Sequence, residues 1–303
     1  MDRIAIRTLP DGRLGRLQPF HVCLEGMEDT ILCRDDEDYD AMVKIMAVAS
    51  RRKNVIIVIY AVVSNHFHAT VLALKQEDAD LYGEEVKRVY SMWFSRKHSE
   101  HKAMKHVSVS ALLLENDWHV RNALAYIPRN ALDNGCNVAN YPWSGYAAMF
   151  RSKGETLQGK PVATLTKRER EAVLHTGDDL TGTRWMLDGQ NRLTPESICD
   201  TVYLEQAFNN DPAYFLKTIG TLNPAEMEWK LVNAPRQRLP DTDFLASVND
   251  VSDRWFKLPA GDLSMEKKRR LIPYINRTMK TSIPQLARAF GLSRDEVARA
   301  LRR

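Results

Sequence analysis

Residues 54–74, NVIIVIYAVVSNHFHATVLAL, limit the possible folds more than any other part of the chain. They contain two runs rich in β-branched residues, NVIIVIYAVV and HATVLAL, with SNHFH at the start of the second run. Runs of this length and composition are typical of strands. The longest apolar run, VIIVIYAVV, is far shorter than the ~20 residues that a helix needs to cross a bilayer. We therefore expect two neighbouring strands of a sheet here.

The flanking sequence alternates between strand and helix patterns. Residues 18–25 and 107–114 have the composition of strands. Three further segments, 36–52, 77–97 and 117–133, have the apolar periodicity of amphipathic helices. The order is strand, helix, strand, strand, helix, strand, helix. This order is typical of a ferredoxin-like α+β domain, in which an antiparallel sheet carries helices on one face.

The cysteines and the N-terminus indicate the compartment. Cys23, Cys33, Cys136 and Cys199 form no CxxC pair, which argues against a zinc ribbon or a disulfide framework and fits a reducing cytoplasm. The opening residues, MDRIAIRTLPDGR, contain no apolar signal core. We therefore expect a soluble, cytoplasmic protein that does not associate with membranes.

Positive charge is concentrated near the C-terminus. Residues 265–303 contain 11 Lys and Arg against 3 Asp and Glu, a balance of +8, whereas the rest of the chain has a balance of −4. Such a segment is typical of a module that binds nucleic acid, and a solvated basic tail has the same composition.

The last residues, SIPQLARAFGLSRDEVARALRR, have the spacing of a helix-turn-helix. Ala287, Gly291 and Val297 would provide the close helix approach, the turn and the packing of the second helix. Ser293 would cap that helix in a capping box with Glu296. Small helical bundles that bind no DNA share this spacing. The candidate DNA contacts are Gln285, Arg288, Arg294 and Arg299.

These observations predict three segments. Residues 1–150 would form the α+β domain, 151–260 a mainly helical connecting region, and 261–303 the helix-turn-helix module. APRQRLPDTD at 234–243 resembles a linker or an exposed loop.

The triplet His66-Phe67-His68 is a candidate metal site. Residues i and i+2 of a strand share one face, so both imidazoles can reach one ion while Phe67 packs on the opposite face. Two strand histidines with hydrogen-bonded rings would have the same pattern. On the predicted helix 117–133, Tyr126 and Asn130 are four residues apart and share a face. If that helix packs beside the strand, the Asn130 amide oxygen can complete a His-His-Asn site.

The order NHFH, YIPRNALDNG and YPWSGY resembles the single-tyrosine HUH transposases, and most closely their REP-associated tyrosine transposase branch. FHVCLEGMEDTILCRDDEDYDAMV is similar to the opening strand, turn and first helix of that family. The resemblance covers about residues 18–150. The chain departs from the family pattern at Glu25, Ala131 and Gly145, where arginine, proline and serine are usual.

The resemblance implies an HUH endonuclease domain and metal-dependent cleavage and rejoining of single-stranded DNA. His66, His68 and Asn130 would hold Mg²⁺ or Mn²⁺, and Tyr126 would form a 5′-phosphotyrosine. The substrate would contain DNA hairpins, and the protein would be a monomer or a homodimer. Arg121 and Arg129, which flank Tyr126, would contact phosphates or be solvated helix positions.

Two other functions fit the same residues. The chain would be a non-catalytic DNA-binding regulator if only the C-terminal module acts on DNA. It would be a rolling-circle replication initiator if similar strand chemistry serves replication, although the Tyr-x-x-x-Asn helix after the histidine strand favours the transposase.

Overall fold

The protein is described by a computed structural model that covers residues 3–25, 31–100, 104, 107–133, 136–151, 159–222, 241–279, 281 and 283–301. Apart from Glu25, the turn EGMED expected after the opening strand lies outside these residues, as does most of the expected linker at 234–243. The chain forms two compact units, residues 1–232 and 233–303. Segment 159–222 belongs to the first unit, and the division between the two units falls near residue 232.

The first unit is built on an antiparallel sheet. Its strands are β1 (Ala5–Thr8), β2 (Leu14–Glu25), β3 (Ile56–Val62), β4 (Phe67–Ala73) and β5 (Ser108–Leu113). The strand order is β1-β2-β4-β3, and β5 pairs with β2. Because β1 pairs with residues 14–17 and β5 with residues 20–25, they share the edge of β2 opposite β4. The predicted α+β class with an antiparallel sheet is confirmed; β1 was not predicted.

Three long helices lie where the apolar periodicity predicts them. They are α1 (Asp36–Arg52), α2 (Gln76–His98) and α3 (Asp117–Asp133). Helix α1 begins after Asp35, whose carboxylate accepts a hydrogen bond from the backbone N–H of Asp38. Acidic residues in its first turn and Arg51 and Arg52 in its last turn complement the helix dipole.

The helices cover both faces of the sheet. Phe67, Ala69 and Val71 of β4 belong to the core formed with α1 and α2. His68 and Leu72 lie on the opposite face, against α3. The expectation of helices on one face is therefore wrong. Strands β3 and β4 are buried on both faces, which is why they appear in the sequence as continuous apolar runs without polar alternation.

The rest of the first unit adds short elements. The strands β6 (Lys160–Pro161) and β7 (Met186–Leu187) form a small antiparallel pair. The helices of this region are α4 (Lys167–Leu174), α5 (Pro195–Ile198), α6 (Thr201–Ala207) and α7 (Pro212–Thr221). Helices α6 and α7 pack beside α3, and this region extends the apolar core with Tyr203, Leu204, Phe208 and Phe215.

The second unit is helical. Its helices are α8 (Asp241–Phe256), α9 (Met265–Thr278), α10 (Ile283–Phe290) and α11 (Arg294–Leu301). Gly291 makes the turn between α10 and α11 with φ of +62°, a conformation that favours glycine. Ser293 and Glu296 form the predicted capping box: the Ser293 N–H donates to the Glu296 carboxylate at 2.8 Å, and the Glu296 N–H donates to Ser293 Oγ at 3.3 Å. Within the described residues, none of the helices combines the length and the apolar character needed to span a membrane.

Candidate functional site

The site is centred on the face of strands β2 and β4 that packs against α3. Cys23 and His68 are directly paired across the two strands, and His21 is paired with Thr70. Because alternate residues of a strand share a face, His21 and Cys23 lie on the same side of β2 as His68 and Thr70 do on β4. Four polar side chains therefore meet in a region that is otherwise apolar.

Three of the imidazoles form a continuous row. Nδ1 of His66 lies 2.6 Å from Oδ1 of Asn65. Nε2 of His66 lies 2.8 Å from Nε2 of His68, and Nδ1 of His68 lies 3.1 Å from Nε2 of His21. His68 thus uses both ring nitrogens to contact a second histidine. The row begins at the half-buried His66 and ends at His21, which is fully buried.

Burial keeps these imidazoles neutral. Loss of solvation lowers the pKa of His66 to about 4 and, with smaller contributions from His119 and His66, lowers the pKa of His21 to about 3. The pKa of His68 is lowered well below its usual value, again mainly by burial. Neutral imidazole is the form that binds metal ions, so at neutral pH each ring has one lone pair available for a ligand bond or a hydrogen bond.

Tyr126 lies on α3 directly over this row. Its ring centroid is 5.2 Å from that of His68 and 6.4 Å from that of His21, both edge-on. The side chain is buried, being only 4% exposed. Helix α3 can approach this closely because small and apolar residues face the sheet on either side of Tyr126, including Ala123, Leu124 and Ile127. The structure therefore brings together the strand histidines and the tyrosine that the sequence singles out.

Asn130 lies one helical turn beyond Tyr126 and is also buried. Its amide nitrogen donates to the backbone oxygens of Tyr126 and Ile127, at 3.0 and 3.1 Å. Both donor contacts are therefore made to the helix backbone. An asparagine binds a metal ion through its amide oxygen.

The structure brings together a second set of possible metal ligands that the sequence interpretation missed. One donor atom each from His21, Cys23 and His68 lies within 4.8 Å of the others, and all three residues are buried, so this group can hold a metal ion. A signal was present in FHVCLE, where His21 and Cys23 are two residues apart on a strand, as His66 and His68 are. The partner strand was not identifiable from the sequence, because pairing of β2 with β4 joins residues more than forty positions apart.

The two arginines of α3 differ in their surroundings. Arg129 donates from Nη1 to the backbone oxygen of Ile219 at 2.7 Å, which links α3 to α7. Arg121 is half-buried near the start of the same helix. The contacts with DNA predicted for both residues stay predictions.

The C-terminal candidates also fall into two groups. Arg288 binds both carboxylate oxygens of Asp241, at 2.6 and 3.0 Å, and the buried Gln285 donates to the same carboxylate at 3.2 Å. These two side chains connect α10 to α8. Arg294 and Arg299 on α11 are exposed.

Comparison of the chain with protein-family models, with curated proteins and with solved structures finds no match.

Proposed function

We propose that the first unit is a metal-dependent nuclease and strand-transferase of the transposase type that cleaves single-stranded DNA through Tyr126. One observation carries the proposal: the Tyr126 ring packs at 5.2 Å against His68, next to the adjacent Nε2 atoms of His66 and His68. A nucleophile, two neutral imidazoles and an asparagine amide are the groups that this chemistry requires, and Asn130 is buried one helical turn from Tyr126.

The donor set fits a divalent cation. His66 and His68 have Nε2 atoms 2.8 Å apart, so a single ion can be bound by both, and Asn130 supplies an amide oxygen from α3. Two imidazoles and an amide would leave further coordination positions for a phosphate oxygen, and the oxygen ligand suits Mg²⁺ or Mn²⁺. The alternative group of His21, Cys23 and His68 contains a thiol, which prefers softer ions. The two sets share His68.

When bound, the cation polarises the scissile phosphate and offsets the charge that develops on it. Tyr126 supplies the attacking phenol oxygen: its O–P bond forms while the bond from phosphorus to the 3′ oxygen breaks. The phenol proton leaves, the departing oxygen gains a proton to become a 3′-hydroxyl, and Tyr126 remains as a 5′-phosphotyrosine. Because the covalent link keeps the energy of the phosphodiester, a second 3′-hydroxyl can reverse the step and join a new strand.

In the second unit, α10 and α11 would act as a helix-turn-helix. The exposed Arg294 and Arg299 would contact DNA from α11, the position of a recognition helix. Arg288 and Gln285 would instead hold the module together through Asp241. This division supports a role for the basic C-terminal segment in binding duplex or hairpin DNA.

The test is formation of a covalent adduct. Wild-type protein and a Tyr126→Phe variant are incubated with a panel of single-stranded hairpin oligonucleotides and Mn²⁺, and adducts that survive denaturant are separated by electrophoresis. The wild type should form an adduct that EDTA abolishes, and Tyr126→Phe should form none. Tyr214→Phe, which removes a partly exposed hydroxyl on α7, is the matched control and should behave as wild type. Failure of the wild type over the whole panel, or an adduct with Tyr126→Phe, would contradict the proposal.

The exposed arginines of α11 also favour the second candidate, a DNA-binding regulator without catalysis. That function predicts tight duplex binding that is indifferent to EDTA and to Tyr126→Phe. Arg294→Ala combined with Arg299→Ala would then abolish the only activity, whereas a strand-transferase would still form the adduct on hairpin substrates.

A further inference from the structure

We infer that His21 is a positioning residue for the metal site: its ring accepts a hydrogen bond from Nδ1–H of His68 and so turns Nε2 of His68, unprotonated, towards the cation. This inference rests on the proposed metal site of His66, His68 and Asn130. It assigns His21 a role outside the coordination shell, although the residue lies within the group that can hold a metal ion.

The geometry shows that His21 is suited to this role. Its Nε2 is 3.1 Å from Nδ1 of His68, the ring nitrogen opposite to the one that faces His66. The rings of His21 and His68 are stacked with centroids 5.2 Å apart, and both side chains are buried. Metal-ligating histidines usually donate their second ring N–H to a carboxylate, a carbonyl or water, which sets the tautomer. For His66 that acceptor is Oδ1 of Asn65, at 2.6 Å. For His68 it is a third histidine.

In the absence of metal, the contacts determine where the protons lie. The Asn65 amide oxygen only accepts, so His66 carries its proton on Nδ1 and has a bare Nε2. The contact of 2.8 Å then requires the proton of His68 on Nε2, which leaves Nδ1 of His68 to accept from Nε2–H of His21. Nδ1 of His21 is left bare, and it has no hydrogen-bond partner among the described residues.

Metal binding requires the other tautomer of His68. To bind the ion, Nε2 of His68 must carry no proton, so the proton of His68 must lie on Nδ1. Nε2 of His21 must then accept the hydrogen bond that Nδ1–H of His68 donates. The His21 proton then lies on its own Nδ1. Both rings remain neutral and no proton is released from either. His66 already presents a bare Nε2, so only His68 and His21 change.

The side chain at position 21 must donate a hydrogen bond to Nδ1 of His68 in the metal-free state and accept one from it in the metal-bound state. Histidine does so by exchanging tautomers, and a glutamine amide can do so by rotating its end group. Phenylalanine fills similar space but offers neither function. Second-shell partners of this kind commonly contribute about 10- to 100-fold to metal affinity.

The first experiment measures Mn²⁺ affinity by electron paramagnetic resonance in the full chain. His21→Phe should bind Mn²⁺ about 10- to 100-fold more weakly than wild type, and His21→Gln should recover most of that loss. Thr70→Val, which changes the cross-strand partner of His21, is the control and should leave the affinity within about twofold. Cys23→Ala tests the alternative group of His21, Cys23 and His68. Thermal unfolding of each metal-free variant reports whether it folds.

Two results would overturn the inference. Wild-type affinity in His21→Phe would mean that the contact with His68 does not position the ligand. An equal loss in Cys23→Ala would mean that His21 is itself a ligand, in the group of His21, Cys23 and His68.

A second experiment needs no variant of the site. Nitrogen-15 NMR of histidine-labelled wild-type protein should show His68 protonated on Nε2 without metal and on Nδ1 with saturating Mg²⁺. If Nε2 of His68 keeps its proton at saturation, the inference is refuted, whatever the stability of the His21 variants.

These measurements separate the inference from the proposed function. Normal metal affinity and the expected tautomer change without any DNA adduct would refute the nuclease and keep the role of His21. Adduct formation with Mn²⁺ affinity unaffected by His21→Phe would refute the role of His21 and keep the nuclease.

Discussion

Acidification of the metal-free protein should destabilise the first unit well above the pH at which carboxylates titrate. Burial lowers the pKa of His21 to about 3 and that of His66 to about 4, whereas both have an ordinary value of 6.5 in the unfolded chain. Below pH 6.5 the unfolded state therefore binds more protons than the folded state. The stabilisation is complete above 6.5 and is lost as the pH falls towards the folded values.

The size of the effect follows from these values. At one pH unit below 6.5, a histidine is protonated in the unfolded chain but stays neutral in the folded protein. Each such histidine lowers the free energy of unfolding by about 1.4 kcal/mol. His21 and His66 together therefore account for a loss of about 3 kcal/mol between about pH 7.5 and about pH 5.5, and His68 acts in the same direction. Aspartate and glutamate, with ordinary values of 3.8 and 4.5, titrate mostly below this window.

The assay is urea unfolding at both pH values in EDTA. In His21→Phe the loss of unfolding free energy between the two pH values should be smaller than in wild type by about 1.4 kcal/mol, because the variant has one fewer histidine that binds a proton only when the chain unfolds. Thr70→Val is the matched control: it alters the buried cross-strand partner of His21 without removing a titratable group, so it should keep the full pH dependence. Equal pH dependence in wild type and His21→Phe would refute the reasoning.

Three further predictions concern packing, capping and a buried charge. Gly83→Ala should cost about 1–3 kcal/mol in urea unfolding, because an added Cβ would overlap Val109 of β5; Val109→Ala in the same chain should recover part of the loss, and strictly additive effects would contradict this. Ser293→Ala should cost the second unit about 1 kcal/mol, measured by the thermal loss of its helical circular dichroism, and an unchanged midpoint would show that the capping box contributes nothing. Asp38→Asn should cost about 1.5–3 kcal/mol in urea unfolding, because the fully buried carboxylate accepts a hydrogen bond from Lys97 at 2.9 Å. Because the contact is buried, high salt should not reduce this loss. An unchanged free energy of unfolding in Asp38→Asn would contradict the prediction.

The local elements were largely predictable because each depends on residues close together in the sequence. Asp35 caps α1 at the start of the segment whose apolar periodicity predicts a helix, and Ser293 with Glu296 closes the predicted capping box. Gly291 adopts the positive φ that its position between two helices requires. In each case the hydrogen bond or backbone angle joins residues at most three positions apart, so the pattern and the contact are present in the same short segment.

The arrangement of the elements was less predictable. The continuous apolar runs of β3 and β4 indicate burial, but the predicted fold places helices on one face of the sheet only, whereas α3 covers the other face. The contact of Arg288 with DNA stays a prediction, but no local pattern indicates that its Nε and Nη2 donate to Asp241, at the start of a different helix. Such contacts depend on tertiary packing, and no local pattern encodes them.

By itself, the sequence determined the chemical groups of the candidate site: two histidines on one face of a strand, and a tyrosine with an asparagine one turn away on a helix. Only the tertiary structure decided that Tyr126 packs over His68, and that His21 and Cys23 of a distant strand complete the surroundings. The physical reason is the range of the interactions. The periodicity of a strand or helix sets which side chains share a face, whereas strand pairing and helix packing set which faces meet. His68 has its second ring nitrogen on His21, and that contact exists only because β2 and β4 are neighbours.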